Sequence, residues 1–398
     1  MKIIQSICDQ DLYKMSMSYF YMTKFPQAEG EFIFTDRNNE VYDEDFLREV
    51  KLAIADMASL KLTREEKEKA FQLTGEWIPL HFWEWLEGFR YEPEKVNVWL
   101  DEEKHLHITV EDLLYKVTLW EVPLLAIISE IRGKWKGYTY NMEDVLKRVE
   151  DQIKLSNQEQ LYFSEFGTRR RFSYIVQEEV CKLLAEKATY YSGTSNVYLA
   201  IMTGVKAIGT LAHELVACHC AFYGYRMGNY MTMSNWADVY DGSLGIMLTD
   251  ELTDKVFFKN FSRRFAKLYD GVRCDSQDEF SYTSMAVNRY KELGIDPTTK
   301  TIVFSNSIDI PKLKEIRDNA LGRIKAVGGI GGALTNRIPI PENKSKCYPS
   351  ANIVMKLWKV RMNKRQEWIN TIKLSDDPRK AIGDRKEIEL AKLTLGIE

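Results

Sequence analysis

"TIVFSNSIDIPKLKEIRDNALGRIKAVGGIGG", residues 301–332, carries the reading that decides the fold. The apolar, β-rich run at 301–304 ends in Ser305, Asn306 and Asp309, the residue types of a turn. "IPKLKEIRDNAL" then repeats its apolar positions at helical spacing, and "RIKAVGGIGG" returns as a second apolar run. Strand, helix and strand in this order form a crossover unit, and crossover units build parallel sheets.

The alternation extends back to Ala188. "ATYYSGTS" precedes the helical "NVYLAIMTG", and "VKAIGT" precedes "LAHELVACHCAFYG". "LGIMLTD" leads to "TDKVFFKNFSRRFAKLY", and "GVRCDS" to "DEFSYTSMAVNRYKELG". About six β/α units imply a parallel sheet with helices outside, most simply a barrel. Upstream the pattern is mixed. "EFIFTDR" (31–37) and "YKVTLWEV" (115–122) read as strands, and 96–110 as a hairpin bearing His105 and His107. Residues 63–89 read as two helices broken near Pro79, 119–131 as a buried helix, 142–159 as a charged helix and "NIVMKLWKV" (352–360) as a strand.

The chain has 398 residues, more than one ordinary core needs. Its 55 Lys+Arg against 58 Asp+Glu give a net charge of −3, which excludes an extended nucleic-acid surface and makes any anion site local. No stretch approaches the roughly 18 apolar residues of a membrane span. Six scattered cysteines fit a reducing, cytoplasmic setting. Cys218, His219 and Cys220 lack the gap of a zinc knuckle and read as buried helix residues.

In a barrel the chemistry collects where the strands end. Those positions hold Thr194, Ser195 and Asn196; Thr210, His213 and Glu214; Thr249 and Asp250; Arg273, Asp275, Ser276 and Asp278; and Ser305, Asn306 and Asp309. Turns favour most of these residue types anyway. The arginine and histidine among them are what turn the set toward chemistry. Gly328, Gly329, Gly331 and Gly332 could bring bare backbone N–H groups to a phosphate, although the Lys-Ser/Thr of a nucleotide P-loop is missing. With Thr210 as cap, His213 falls in a first helical turn beside Glu214, a carboxylate able to orient it. "EFGTRRRFS" (165–173) sets Arg169, Arg170 and Arg171 behind a glycine, as a solvated helix start or an anion site. Tyr13 and Phe166 are either core residues or stacking surfaces for a flat ring.

"DLYKMSM", "EFGTRRRFS", "GTSN", "GTLAHE", "LGIMLTD", "LYDGVRCDS", "GIDPTTKTIVFS" and "GIGGALTN", in this order, resemble the nicotinate phosphoribosyltransferase family. The resemblance implies an α/β protein: an N-terminal α+β domain (1–140), an irregular β/α barrel (141–345) and a C-terminal segment (346–398) packing back on the first domain. It implies transfer of phosphoribose from phosphoribosyl pyrophosphate to nicotinate, with Mg2+ as cofactor and ATP as co-substrate, in a homodimer with shared active sites. Phe166 and Tyr13 would sandwich the pyridine, Tyr13 coming from the partner subunit. Arg169 and Arg171 would neutralise phosphates, with Arg170 less defined, and Arg273 would face the substrate carboxylate or a phosphate. Asp275 and its neighbours would hold ribose hydroxyls or magnesium-bound pyrophosphate, and Gly329, Gly331 and Gly332 the 5′-phosphate. Arg37, Ser195, Asn196, Thr210, Ser276 and Ser305 complete the implied substrate-binding set. His213 matches the family's phosphorylated histidine, and the metal ligands stay open. Two positions depart from the pattern: Gln277 where the family usually has glycine, and Gly332 where it usually has threonine. The rival expectations are a nicotinamide-using relative, a nucleotide-sensing barrel without catalysis, and a sugar-processing barrel using Asp250 and Asp275.

Overall fold

The computed structural model of the chain describes residues 2–377 and 381–397. Antiparallel strands come first: β1 (Glu29–Asp36), β2 (Val96–Leu100) and β3 (Leu106–Leu113). Parallel strands follow: β4 (Phe163–Glu165), β5 (Tyr191–Thr194), β6 (Ile246–Leu248), β7 (Gly271–Cys274), β8 (Thr301–Phe304) and β9 (Lys325–Ile330). A small hairpin, β10 (Pro339–Ile340) and β11 (Asn343–Cys347), leads to β12 (Ile353–Arg361) and β13 (Ile369–Asn370).

The antiparallel sheet has the order β13-β12-β1-β3-β2, with Glu29 opposite Arg361 and Asp36 opposite Ile353. Alternation explains the pairing. Phe32 and Phe34 in β1, and Ile353, Met355 and Leu357 in β12, are buried while their neighbours are partly exposed. The hairpin is β2–β3, and Pro79 separates the helices Arg64–Thr74 and Leu80–Gly88 as its missing donor demands.

The parallel order is β5-β4-β9-β8-β7-β6. Between β5 and β6 the ring closes without a ladder. "VKAIGT", expected as a strand, makes one parallel bridge, Ala207 to Thr194, and the Thr210 hydroxyl donates to the Ile246 carbonyl at 2.9 Å. At Gly193, with φ +135°, an added Cβ would lie 2.1 Å from the Lys206 carbonyl oxygen, so backbone packs on backbone along this seam. The barrel is irregular there.

Two further elements differ from expectation. "YKVTLWEV" is helical: one turn at Leu114–Val117, a 3-10 turn at Thr118–Trp120 and the start of the helix Glu121–Trp135. Most of the run is buried, so no alternation separates strand from helix, and β-rich composition misleads. Before Ala188, where no parallel strand was expected, β4 supplies a three-residue one. Past residue 346 the chain divides: β12 and β13 join the antiparallel sheet, Leu374 bonds to Glu251 beside β6, and the helix Arg385–Leu395 packs on the helix Tyr225–Tyr240. Among the described residues, no helix is long and apolar enough to cross a membrane.

Candidate active site

A cavity of about 470 Å3 opens at the carboxyl ends of the parallel strands and is walled opposite by β12 and the chain around Lys373. The turn after β4 shapes one side. Thr168–Arg170 is a single 3-10 turn, whose three residues per turn send successive side chains apart. The Phe166 N–H donates to the Ile330 carbonyl at 2.8 Å, which seats the ring on Gly329; a Cβ on Gly329 would lie 2.5 Å from Phe166 Cε2. At Gly332 a Cβ would meet nothing closer than 3.7 Å, so packing does not demand glycine there.

The three arginines have different neighbours. Arg169 lines the cavity 3.4 Å from Glu121, with its guanidinium 5.9 Å from the Tyr13 ring centre. Arg170 lines it with its side chain open to solvent and without a carboxylate in ion-pair range among the described residues. Arg171, expected at the phosphates, is instead fully buried away from the cavity. It donates to Asp9 at 2.7 and 2.9 Å and to the Ile3 carbonyl at 2.8 Å. Asn196 is also spent elsewhere: its amide donates to Asp9 at 2.8 Å and its oxygen caps the helix Val197–Thr203. Ser276 lies off the cavity, its hydroxyl buried without a hydrogen-bond partner among the described residues.

The other expected residues come together. Tyr13, Arg37, Phe166, Ser195, Thr210, His213, Arg273, Asp275, Ser305, Gly329, Gly331 and Gly332 line this one cavity with Arg169. Tyr13 reaches this cavity within its own chain. At the ends of β7 and β8, Arg273 Nε donates to the Ser305 hydroxyl at 2.7 Å, and that hydroxyl donates to Asp275 at 2.8 Å. The Arg273 guanidinium stands 5.7 Å from the Phe166 ring centre.

His213 opens the helix His213–Tyr223, but its cap is Ala212, with no side-chain bond; Thr210 is used at the seam instead. The uncapped N–H end therefore faces the cavity lining. Nor does Glu214 orient the imidazole. It turns to the buried Lys14, 2.5 Å away, which also pairs with Glu121 at 2.6 Å. Asp250 holds the ring: its Oδ1 lies 2.7 Å from His213 Nε2, and Lys373 Nζ donates to its Oδ2 at 2.8 Å. Burial lowers the His213 pKa, Lys373 adds to that, and Asp250 only partly opposes them, leaving it at about 4. Burial alone would raise Asp250, yet Lys373 and His213 prevail and its carboxyl sits well below the usual range.

Sequence reasoning missed three residues. Asp11 receives the Ser195 hydroxyl at 2.7 Å. Lys356 lines the cavity from β12 without an ion pair among the described residues, its pKa lowered by burial and by Lys373. A charge inside the apolar "IVMKLW" was a usable signal for it. Lys373 left none, because its partner Asp250 is 123 positions away.

Fold and site together define an enzyme of the β/α-barrel class, built around an anion pocket with aromatic walls. Family models agree: "Nicotinate phosphoribosyltransferase (NAPRTase) family" matches residues 161–397, and the corresponding N-terminal domain matches 8–129. The chain belongs to the nicotinate phosphoribosyltransferase family. A nicotinate phosphoribosyltransferase of Chromohalobacter salexigens is 37% identical over 397 residues, 99% of each chain. Another, of Desulforapulum autotrophicum, is 37% identical over 97% of each. The crystal structure of nicotinate phosphoribosyltransferase from Porphyromonas gingivalis matches with a TM-score of 0.96 at 43% identity, covering 99% of this chain and 100% of that one. One from Vibrio cholerae matches with a TM-score of 0.90 at 29% identity, covering 100% of this chain and 94% of its own.

Proposed function

We propose that the nicotinate phosphoribosyltransferase reaction of this chain takes place in the barrel-mouth cavity and is coupled to ATP through His213. One observation carries the reading. Arg37, Arg170 and Lys356 line the cavity with no carboxylate in ion-pair range among the described residues, and the same cavity holds an imidazole kept neutral. Cations that converge on one cavity without carboxylate partners repel one another until an anion arrives.

Nicotinate would lie against Phe166 and Tyr13, and its carboxylate would meet the guanidinium beside either ring, Arg273 or Arg169. Its ring nitrogen would attack ribose C1 while the C1–O bond to pyrophosphate breaks, the bonding pair leaving with pyrophosphate. That step needs leaving-group charge stabilised and reactants held in line more than it needs proton transfer. Arg37, Arg170 and Lys356 would supply the charge, and the Gly329–Gly332 turn would receive the 5′-phosphate.

Magnesium fits the donor set. Ligand atoms of His213, Asp250 and Asp275 lie within 4.8 Å of one another. Asp250 already serves His213 and Lys373 through its two oxygens, so Asp275 is the residue that would hold the ion. The ion supplies further neutralisation of the phosphates when bound.

For the ATP step, His213 donates Nε2–H to Asp250, which leaves the lone pair on Nδ1. Nδ1 would attack the γ-phosphorus; an N–P bond forms, the P–O bond to ADP breaks, and ADP leaves with the electron pair. Water would later cleave the N–P bond and release phosphate. Gamma-labelled ATP tests this: the enzyme should take up acid-labile, base-stable label, and His213→Ala should take up none. Label that persists in His213→Ala refutes the assignment.

Six unpaired cysteines, together with ATP and phosphoribosyl pyrophosphate as substrates, support a cytoplasmic setting. The family likeness implies a homodimer.

A further inference from the structure

We propose that Lys373, brought in by the C-terminal segment, is the positioning residue that fixes Asp250, and through it the His213 ring, for phosphoryl acceptance. This rests on the ATP-coupled reading above. Asp250 is gripped at both oxygens, by His213 Nε2 at 2.7 Å and by Lys373 Nζ at 2.8 Å. A carboxylate held at both ends cannot swing about its Cβ–Cγ bond, so the imidazole it faces keeps one orientation. Without the ammonium, a carboxylate whose side chain is 1% exposed would have His213 as its one close charge partner among the described residues, with no other described ion pair to its second oxygen.

Backbone bonds show how Lys373 reaches that place. Thr371 N–H donates to the Trp358 carbonyl at 2.9 Å, within β12. Leu374 N–H donates to the Glu251 carbonyl at 2.9 Å, which ties the strap to the residue directly after Asp250. Lys373 itself forms a two-way backbone bridge with Ile382, at 2.7 and 3.0 Å. Its neighbours in both directions are therefore anchored, one to the antiparallel sheet and one to the barrel. The side chain is 7% exposed, with Glu251 as its second acid at 3.9 Å. It lines the cavity as well, but its shortest contact is to Asp250 at 2.8 Å.

The test compares Lys373→Met and Lys373→Arg in the full-length chain, each also in an Asp250→Asn background. It reads the labelling rate of His213 from γ-labelled ATP alongside the KM for nicotinate. Lys373→Met should slow labelling about 10- to 100-fold and leave the nicotinate KM within about threefold; Lys373→Arg should restore most of the rate. In the Asp250→Asn background, Lys373→Met should add less than about a threefold further loss, since its route runs through Asp250. Lys373→Leu, which also removes the donor, reports the same loss where Lys373→Met does not fold. Wild-type labelling in Lys373→Met, an undiminished loss in the Asp250→Asn background, or a loss confined to the nicotinate KM would each overturn the proposal. A wild-type enzyme that makes nicotinate mononucleotide and never takes label would instead remove the ATP-coupled reading on which it stands.

Discussion

The two ends of the cavity are built on opposite terms. Around His213 every close charge is answered: imidazole by Asp250, Asp250 by Lys373, Glu214 by Lys14. Arg37, Arg170 and Lys356 have no carboxylate in ion-pair range among the described residues. A group that must react in one geometry is held by its neighbours before any ligand arrives. A group that must bind polyanions is left wanting a partner, and the ligand supplies it.

Adjacent arginines give the sharpest way to break that contrast. Arg171→Met strands the buried Asp9 and should cost about 3–5 kcal/mol, read as a large fall in melting temperature. Arg170→Met, one residue away, should leave melting unchanged or raised, and should raise the KM for phosphoribosyl pyrophosphate about 10- to 100-fold, as the loss of a charge-assisted contact predicts. An unchanged KM with a lowered melting point would move Arg170 to the structural side. The glycines offer a smaller test. Gly329→Ala must displace the Phe166 ring, costing about 1–3 kcal/mol with a raised KM for nicotinate, whereas Gly332→Ala should stay within about 0.5 kcal/mol.

The least dramatic prediction concerns pH. An ordinary histidine would be about nine-tenths protonated at pH 5.5 and would lose nucleophilicity about tenfold between pH 7.5 and 5.5. With its pKa at about 4, His213 is still neutral at pH 5.5, so labelling should fall less than about twofold over that range. A midpoint near 6.5 would mean the imidazole is not held as described.

Much of the barrel was legible because its units alternate over long, strongly periodic stretches, as at 301–332. What failed was short or wholly buried: β4 has three residues, and Tyr115–Val122 carries no alternation to read. At the site, residues projecting from strand ends were found because strand ends converge. Arg171 and Asn196 were misplaced because a side chain's partner depends on tertiary geometry, here on Asp9 from the first turns of the chain. Asp250 was visible as a strand-end acid, but its role needed the register of a segment that sequence patterns do not pair.

The placing of β12 beside β1 has a cost in time. While the ribosome is still making the barrel, β1 lacks one of its two neighbours and offers an open row of backbone donors and acceptors. Residues 353–361 must emerge before that row is covered, so the newborn chain passes through a long interval with a sticky edge. Its yield in cells should therefore depend on chaperones more than the stability of the finished fold would suggest.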